Sequence, residues 1–417
     1  MSKKKKQQSA PSAPAETSVP ASAETAAETA ASAAEETATA SAEETAAPAE
    51  ETAAPAAAET TAAPNGFQLL SKYRGAIMGL AAVWILIFHE WIQLSTTPPE
   101  GGFDLISNLE RYIKAIGFCG VDIFLMLSGI GLTFAIKKDS LGRFYYRRLR
   151  RILLPFLTVA VIRCVLEHWD FKNFIGNVTG WKFYTVSMYS FLWFVPAICT
   201  LYLLFPLYYK LFQKAGNKIL FTCGTVGIWM ILTLLFRDKM RGDLFGFTNR
   251  IPVFCIGVLY GWMTQNRKEI VFTAQTWITV AITALLGFYL AFLANFRGWG
   301  LIVPVGNCCI PNCLIAVSFP FLLAKGLDLL VRKAGKFGSG VFKVLAFFGT
   351  FSLEYYCVQE WLAGILIPKM QAGGWTNLGI NVMIFLAVTL SAFIASRIFT
   401  GFWKLAELPA KKLKAAK

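Results

Sequence analysis

Apolar side chains occur along the chain in blocks of roughly twenty residues, separated by short charged or turn-rich connections. A helix rising about 1.5 Å per residue crosses the roughly 30 Å hydrocarbon core of a bilayer in about 20 residues. Ten such blocks predict about ten transmembrane helices, near 75–94, 115–136, 152–167, 188–209, 219–236, 251–263, 270–294, 305–324, 344–367 and 378–402. The third and sixth are short, which predicts tilted or broken spans. Before the first block the pattern vanishes. Residues 1–65 cycle through Ala, Glu, Thr, Ser and Pro and have nothing to bury against the entropy of ordering, so they predict a disordered leader. No apolar stretch follows the lysines at 3–6 for some seventy residues, which argues against a cleaved secretory signal. The expected organisation is a leader over 1–65, an all-α polytopic membrane domain over 70–403 and a basic tail over 404–417.

Composition agrees. The 417 residues are 55% hydrophobic and 16% charged, where soluble domains carry about 25% charged residues. The net charge of +15 hides a division: four lysines and ten glutamates give the leader −6 and leave +21 for the rest. Positive charge gathers on alternate connections, with seven Lys and Arg between Lys137 and Arg151. The positive-inside rule then puts both termini in the cytoplasm of a multi-pass cell-membrane protein. One connection dissents. Arg237, Lys239, Arg241 and Arg250 fall outside, which predicts either a displaced span or basic groups retained for an anionic substrate.

Ionisable groups inside spans are costly, so each is a functional candidate. His89 lies about five residues from the outer end of the first span and Asp122 about seven into the second, depths of roughly 8 and 10 Å. Gln359 and Glu360 fall at a similar level in the ninth, and Glu90 adjoins His89. An imidazole with a pKa of about 6.5 can take a proton from a hydroxyl and return it. A buried histidine that only hydrogen-bonds a neighbouring helix is the equal alternative. His168, beside Trp169 and Asp170, reads as interfacial. At the other face, Arg147, Arg148, Arg150 and Arg151 offer planar forks for phosphate oxygens, or an anchor to anionic lipid. Trp169, Trp181, Tyr184, Tyr189 and Trp193 could stack on pyranose rings or form an interfacial belt. The nine cysteines, Cys308, Cys309 and Cys313 among them, show no metal or disulfide spacing and read as small apolar packing groups.

Five blocks in order resemble the membrane acyltransferase 3 family: RGAIMGLAAVWILIFH at 74–89, GFCGVDIFLMLSG at 117–129, the arginine run ending in RILLP at 151–155, RIPVFCIG at 250–257 and FGTFSLEYY at 348–356. The resemblance implies a ten-helix enzyme that moves an acyl group, usually acetyl, from cytoplasmic acyl-CoA to a hydroxyl of a cell-surface or exported glycan. It implies that His89 is the essential first-helix histidine and that Arg148 and Arg151 are an Arg-x-x-Arg pair, overlapped by Arg147 and Arg150. Two positions depart from the pattern. Met78 stands where the family often has an arginine eleven residues before the histidine; Arg74, fifteen before, returns to nearly the same helix face. Gln359 stands where the near-terminal segment often ends in histidine, and it cannot relay a proton.

The expectation is therefore an O-acyltransferase with acyl-CoA as co-substrate and no metal. CoA phosphates would dock on Arg147, Arg148, Arg150, Arg151 and Arg74. His89 would act as general base or carry the acyl group as an acyl-imidazole, and Asp122 would orient it or merely pack between helices. Glu90, Trp193, Arg250 and Glu360 are the candidates against the acceptor. The expected partners are membrane lipid, a glycan or glycolipid acceptor and a separate extracytoplasmic relay protein, with no nucleic acid. The rival readings are a transporter or flippase of an anionic lipid or glycan, and succinyl transfer to an exopolysaccharide.

Overall fold

The computed structural model describes residues 65–94, 105–185, 190–236, 239–240, 242–266, 272–297 and 309–415. The proposed leader lies outside them, apart from Asn65. So do the first residues of the blocks expected at 188, 270 and 305, along with Tyr189, Arg237, Arg241 and Cys308. The described residues are helical, with no strand among them.

A short helix, α1 (Gly66–Lys72), starts at a capping box: the Asn65 side chain accepts from Phe67 N at 2.8 Å, while Asn65 N donates to the Gln68 side chain at 3.0 Å. At Tyr73 the chain bends by 66° into α2 (Arg74–Glu90). The bend is pinned from a distance, because Lys72 Nζ and the Tyr73 hydroxyl both donate to Asp328 Oδ1 at 3.0 Å and Arg332 Nε reaches Oδ2 at 2.7 Å. Next come the amphipathic α3 (Leu105–Ala115), then α4 (Cys119–Lys138) and α5 (Leu141–Leu166). Two short helices, α6 (Phe171–Val178) and α7 (Trp181–Thr185), lead to α8 (Phe194–Lys214) and α9 (Lys218–Phe236). The chain continues through α10 (Gly242–Thr248), α11 (Ile251–Gln265), α12 (Ala274–Phe296), α13 (Cys309–Thr350), α14 (Ser352–Ala372) and α15 (Asn377–Ala415).

Seven helical stretches among the described residues are long and apolar enough to cross a membrane: α4, α8, α9, α10 with α11, α12, α13 and α15. The bent pair α1–α2 makes an eighth if it is one span. The third and ninth expected blocks correspond to α5 and α14. At 26 and 21 residues both are long enough. Neither passes on composition, because α5 opens on the arginine run and α14 carries Glu354, Gln359 and Glu360. These two polar helices pack against each other, and α14 also packs on α2 and α15. Glu354 and Gln359 of α14 are buried within the protein, away from lipid.

Several boundaries differ from the hydrophobic pattern. The helix of the eighth block runs past 324 to Thr350 and breaks only at Gly335, whose φ of 49° is open to glycine. The ninth block is divided at Phe351, so that 344–350 finish α13 and α14 begins at Ser352. The last helix continues to Ala415, through the stretch read as a tail. Such extensions are invisible to hydropathy because a helix leaving the bilayer need not change its backbone.

The closest approaches need glycine. A Cβ at Gly79 would overlap the Leu345 carbonyl oxygen and one at Gly257 the Met126 carbonyl, so α2 meets α13, and α11 meets α4, backbone to backbone. Gly79→Val is therefore expected to destabilise the protein by about 1–3 kcal/mol, as overpacked cores do. Gly227→Ala, with nothing within 4 Å of the added Cβ, should leave it unchanged or slightly stabilised. Thermal unfolding followed by size-exclusion fluorescence compares the two.

Candidate active site

α2 carries the candidate chemistry at both ends. From Arg74 to His89 are fifteen residues, a rise of about 22 Å. The end bearing Arg74 shares its level with the arginine run of α5 and is the basic end; His89 belongs to the far end.

At the far end His89 Nδ1 lies 3.8 Å from Glu360 Oε1 on α14, with side chains 28% and 34% exposed. The separation is longer than a hydrogen bond, and a small rotation would close it. Glu90 and Asp243 both lie within electrostatic reach of Glu360, as does Arg163 of α5. Asp243 accepts from Ser190 N and Oγ at 2.5 and 2.6 Å, and Arg163 is held to Glu167 at 2.6 Å. One turn before Glu360, the Tyr356 hydroxyl accepts from Phe194 N at 3.2 Å. The result is a partly open imidazole beside one carboxylate, walled by α2, α5, α14 and the start of α8.

Asp122 sits elsewhere in this layer. It is buried, its Oδ2 3.3 Å from Arg250 Nε and accepting from Asn312 Nδ2 at 3.1 Å, so it ties α4 to the start of α11 and to α13. The Arg250 guanidinium stands 5.4 Å from the Trp193 ring centroid and 6.0 Å from that of Phe118, and NH1 donates to the Gly246 carbonyl at 2.5 Å. Phe118 in turn packs on Phe88, next to His89. Arg250 thus borders the same layer with its charge already countered. Asp122→Asn strands that buried guanidinium and is expected to cost about 3–5 kcal/mol. The paired change Asp122→Asn with Arg250→Gln should regain part of it, measured as melting temperature.

At the basic end the four arginines part company. Arg147 is bound to Asp139 at 3.2 Å. Arg150 lies over the rings of Trp403 and Tyr146, at 5.1 and 5.8 Å. Arg148 and Arg151, one turn apart on a shared helix face, lie within electrostatic reach of Arg74 and Tyr202. Glu354, nearly buried on α14, is close enough to Arg151 to feel its charge. Three guanidinium groups lie within reach of one another, and only Arg151 among them feels a carboxylate, so the cluster keeps an excess of positive charge. Such a cluster suits an anion with several oxygens.

Among the sequence-derived candidates, the fold thus groups His89, Glu90 and Glu360 at one end and Arg74, Arg148 and Arg151 at the other, with Trp193, Arg250 and Asp122 beside the first group. Arg147 and Arg150 turn away. Gln359 is fully buried on α14. Trp181 and Tyr184 are exposed on α7, and Trp169 packs on Phe191. Tyr202, Glu354, Tyr356 and Asn312 escaped the sequence reading. Asn312 and Glu354 could have been found as polar groups inside apolar blocks. Among the described residues no group of three or more His, Cys, Asp or Glu is arranged to hold a metal ion.

A family model for an acyltransferase domain, that of acyltransferase 3, matches residues 77–400. The chain belongs to the acyltransferase 3 family. It is therefore a membrane acyltransferase with multiple spans. No curated protein and no solved structure matches it. The matched stretch of this acyltransferase holds His89, Asp122, the arginine run, Trp193, Arg250 and Glu360, and it begins three residues after Arg74.

Proposed function

We infer that this acyltransferase moves an acetyl group from cytoplasmic acetyl-CoA to a hydroxyl of a glycan at the outer face of a bacterial cell membrane, with both termini inside. The observation that carries the reading is a single helix, α2, with a cationic cluster at its start and an imidazole–carboxylate pair at its end. Phosphate oxygens of the donor bind Arg74, Arg148 and Arg151. The pantetheine arm, comparable in reach with the 22 Å between Arg74 and His89, brings the thioester to the far end. His89 then removes the acceptor hydroxyl proton, and Glu360 stabilises the imidazolium that forms. The acceptor oxygen bonds to the acyl carbon as the C–S bond breaks. The sulfur leaves with the electron pair and receives the proton from His89. Trp193 and Arg250 border the acceptor.

Purified protein in nanodiscs, given acetyl-CoA radiolabelled in the acetyl group and a bacterial surface polysaccharide, should transfer label to the saccharide and release free CoA thiol. Label that crosses the membrane unchanged would refute the reading in favour of transport. Mass spectrometry of envelope saccharides from a deletion strain identifies the group and the acceptor together, and separates acetyl from succinyl.

A further inference from the structure

Arg74 is the first residue of α2. The first turn of an α-helix has no partners within the helix for its N–H groups, so a side chain there is placed by whatever holds the chain before it. An arginine one turn further along, at the position of Met78, would be gripped by helical turns on both sides. The arginine of this chain stands at the helix start and needs a fixture from outside α2.

Tyr73 is the joint. Its N–H donates to the Leu69 carbonyl at 2.9 Å, which closes α1, and its carbonyl accepts from Ile77 N at 3.0 Å, which opens α2. The side chain is 1% exposed. Its ring packs edge-on against Phe342, on the later half of α13, with centroids 5.2 Å apart, and its hydroxyl donates to Asp328 Oδ1 at 3.0 Å. Lys72, the last residue of α1, donates to the same oxygen at 3.0 Å, and its ammonium lies 4.9 Å from the Tyr73 ring centroid. One buried carboxylate of α13 thus holds the end of α1 and the residue at the bend, and Arg74 is next in the chain.

On the other side, α4 leaves room for the guanidinium. Outside its own helix, the three atoms nearest a Cβ built on Gly131 all belong to the Arg74 guanidinium, the closest a terminal nitrogen at 3.1 Å. Arg148, Arg151 and Tyr202 lie within electrostatic reach of Arg74, and its buried Nε has no hydrogen-bond partner among the described residues.

We propose that Asp328 is a positioning residue of the donor site: by fixing the bend at Tyr73 it holds Arg74 against Gly131, where the guanidinium completes the cluster with Arg148 and Arg151. The inference rests on that cluster as the site of the donor phosphates. Like charges repel, so an Arg74 without an anchor swings away from its two neighbours when no anion lies between them. An anchored Arg74 is already in place, and binding bears no further cost of ordering it.

The test uses the full-length protein in nanodiscs, with isothermal titration of CoA beside steady-state transfer from acetyl-CoA. Asp328→Ala should weaken CoA about tenfold and raise the KM for acetyl-CoA by the same factor, with kcat within about twofold of wild type. By charge alone, removing a carboxylate favours an anion, so weakened binding identifies the bend as the cause. Tyr73→Phe, which removes a single oxygen, should weaken CoA about threefold and carries the comparison if Asp328→Ala does not fold. Gly131→Ala improves the helix propensity of α4, yet should weaken CoA about threefold with no fall in melting temperature, a combination that lost stability does not produce. In an Arg74→Ala background none of the three should have a further effect, because each acts through that side chain. CoA affinity that is unchanged or tighter in both Asp328→Ala and Tyr73→Phe would overturn the proposal, and so would effects that persist in the Arg74→Ala background. Arg74→Ala that itself leaves CoA binding intact removes the donor reading and the proposal with it. Failure of the proposal alone shows as weakened CoA in Arg74→Ala with Asp328→Ala and Tyr73→Phe at wild-type affinity.

Discussion

His89→Ala is expected to lower kcat by about 10²–10⁴-fold, the usual contribution of a positioned general base, while the protein remains folded and binds donor. The imidazole is partly exposed and its ion-pair contact is with Glu360 at 3.8 Å, so truncation opens no buried void. Glu360→Gln should lower kcat by less and leave the donor KM unchanged, because the carboxylate acts through the imidazole. Steady-state acetyl transfer from nanodisc-embedded protein measures both, with melting temperature as the control for folding. Transfer that survives His89→Ala at the wild-type rate removes the histidine from the mechanism.

Arg148→Ala and Arg151→Ala should each raise the KM for acyl-CoA about tenfold to a hundredfold, the loss of one charge-assisted hydrogen bond to phosphate at about 1.5–3 kcal/mol. Arg147→Ala and Arg150→Ala should change it by less than about threefold. Those two side chains are occupied by Asp139 and by Trp403 and Tyr146. Isothermal titration of CoA, which requires no turnover, gives the same comparison as a dissociation constant. Four equal effects would mean that the run acts only as diffuse positive charge. A selective pair means a built site.

The arginine run shows where the sequence was sufficient and where it was not. Composition and spacing identified a basic cluster at one membrane face, but two overlapping Arg-x-x-Arg pairs are indistinguishable in one dimension. The choice between them is made by Arg74 and Tyr202 on one side and Trp403 on the other, from distant parts of the chain. The polar layer repeats the lesson. Rise per residue put His89, Asp122 and Glu360 at one depth, but depth does not set rotation about the helix axis. Packing turned Glu360 towards His89, and turned Asp122 towards Arg250 and Asn312. Most spans were legible because a bilayer imposes length and apolarity together. α5 and α14 were legible as blocks with uncertain ends, since the arginine run of one and Glu354, Gln359 and Glu360 of the other blur their composition. α3 was missed as a helix, because an amphipathic segment of eleven residues reads as a connection when only long apolar runs are sought.

The pairing of α5 with α14 also bears on how the chain is made. Nearly half of the sequence separates them, and both are more polar than the helices that qualify as spans by composition. During synthesis α5 emerges first, and its face towards α14 stays open until Ser352–Ala372 follows. A ribosome that stops before Ser352 therefore leaves a bundle in which His89 and Arg151 lack their carboxylate neighbours, Glu360 and Glu354. The polar centre is thus complete only when nearly nine tenths of the chain, through Ala372, has been made.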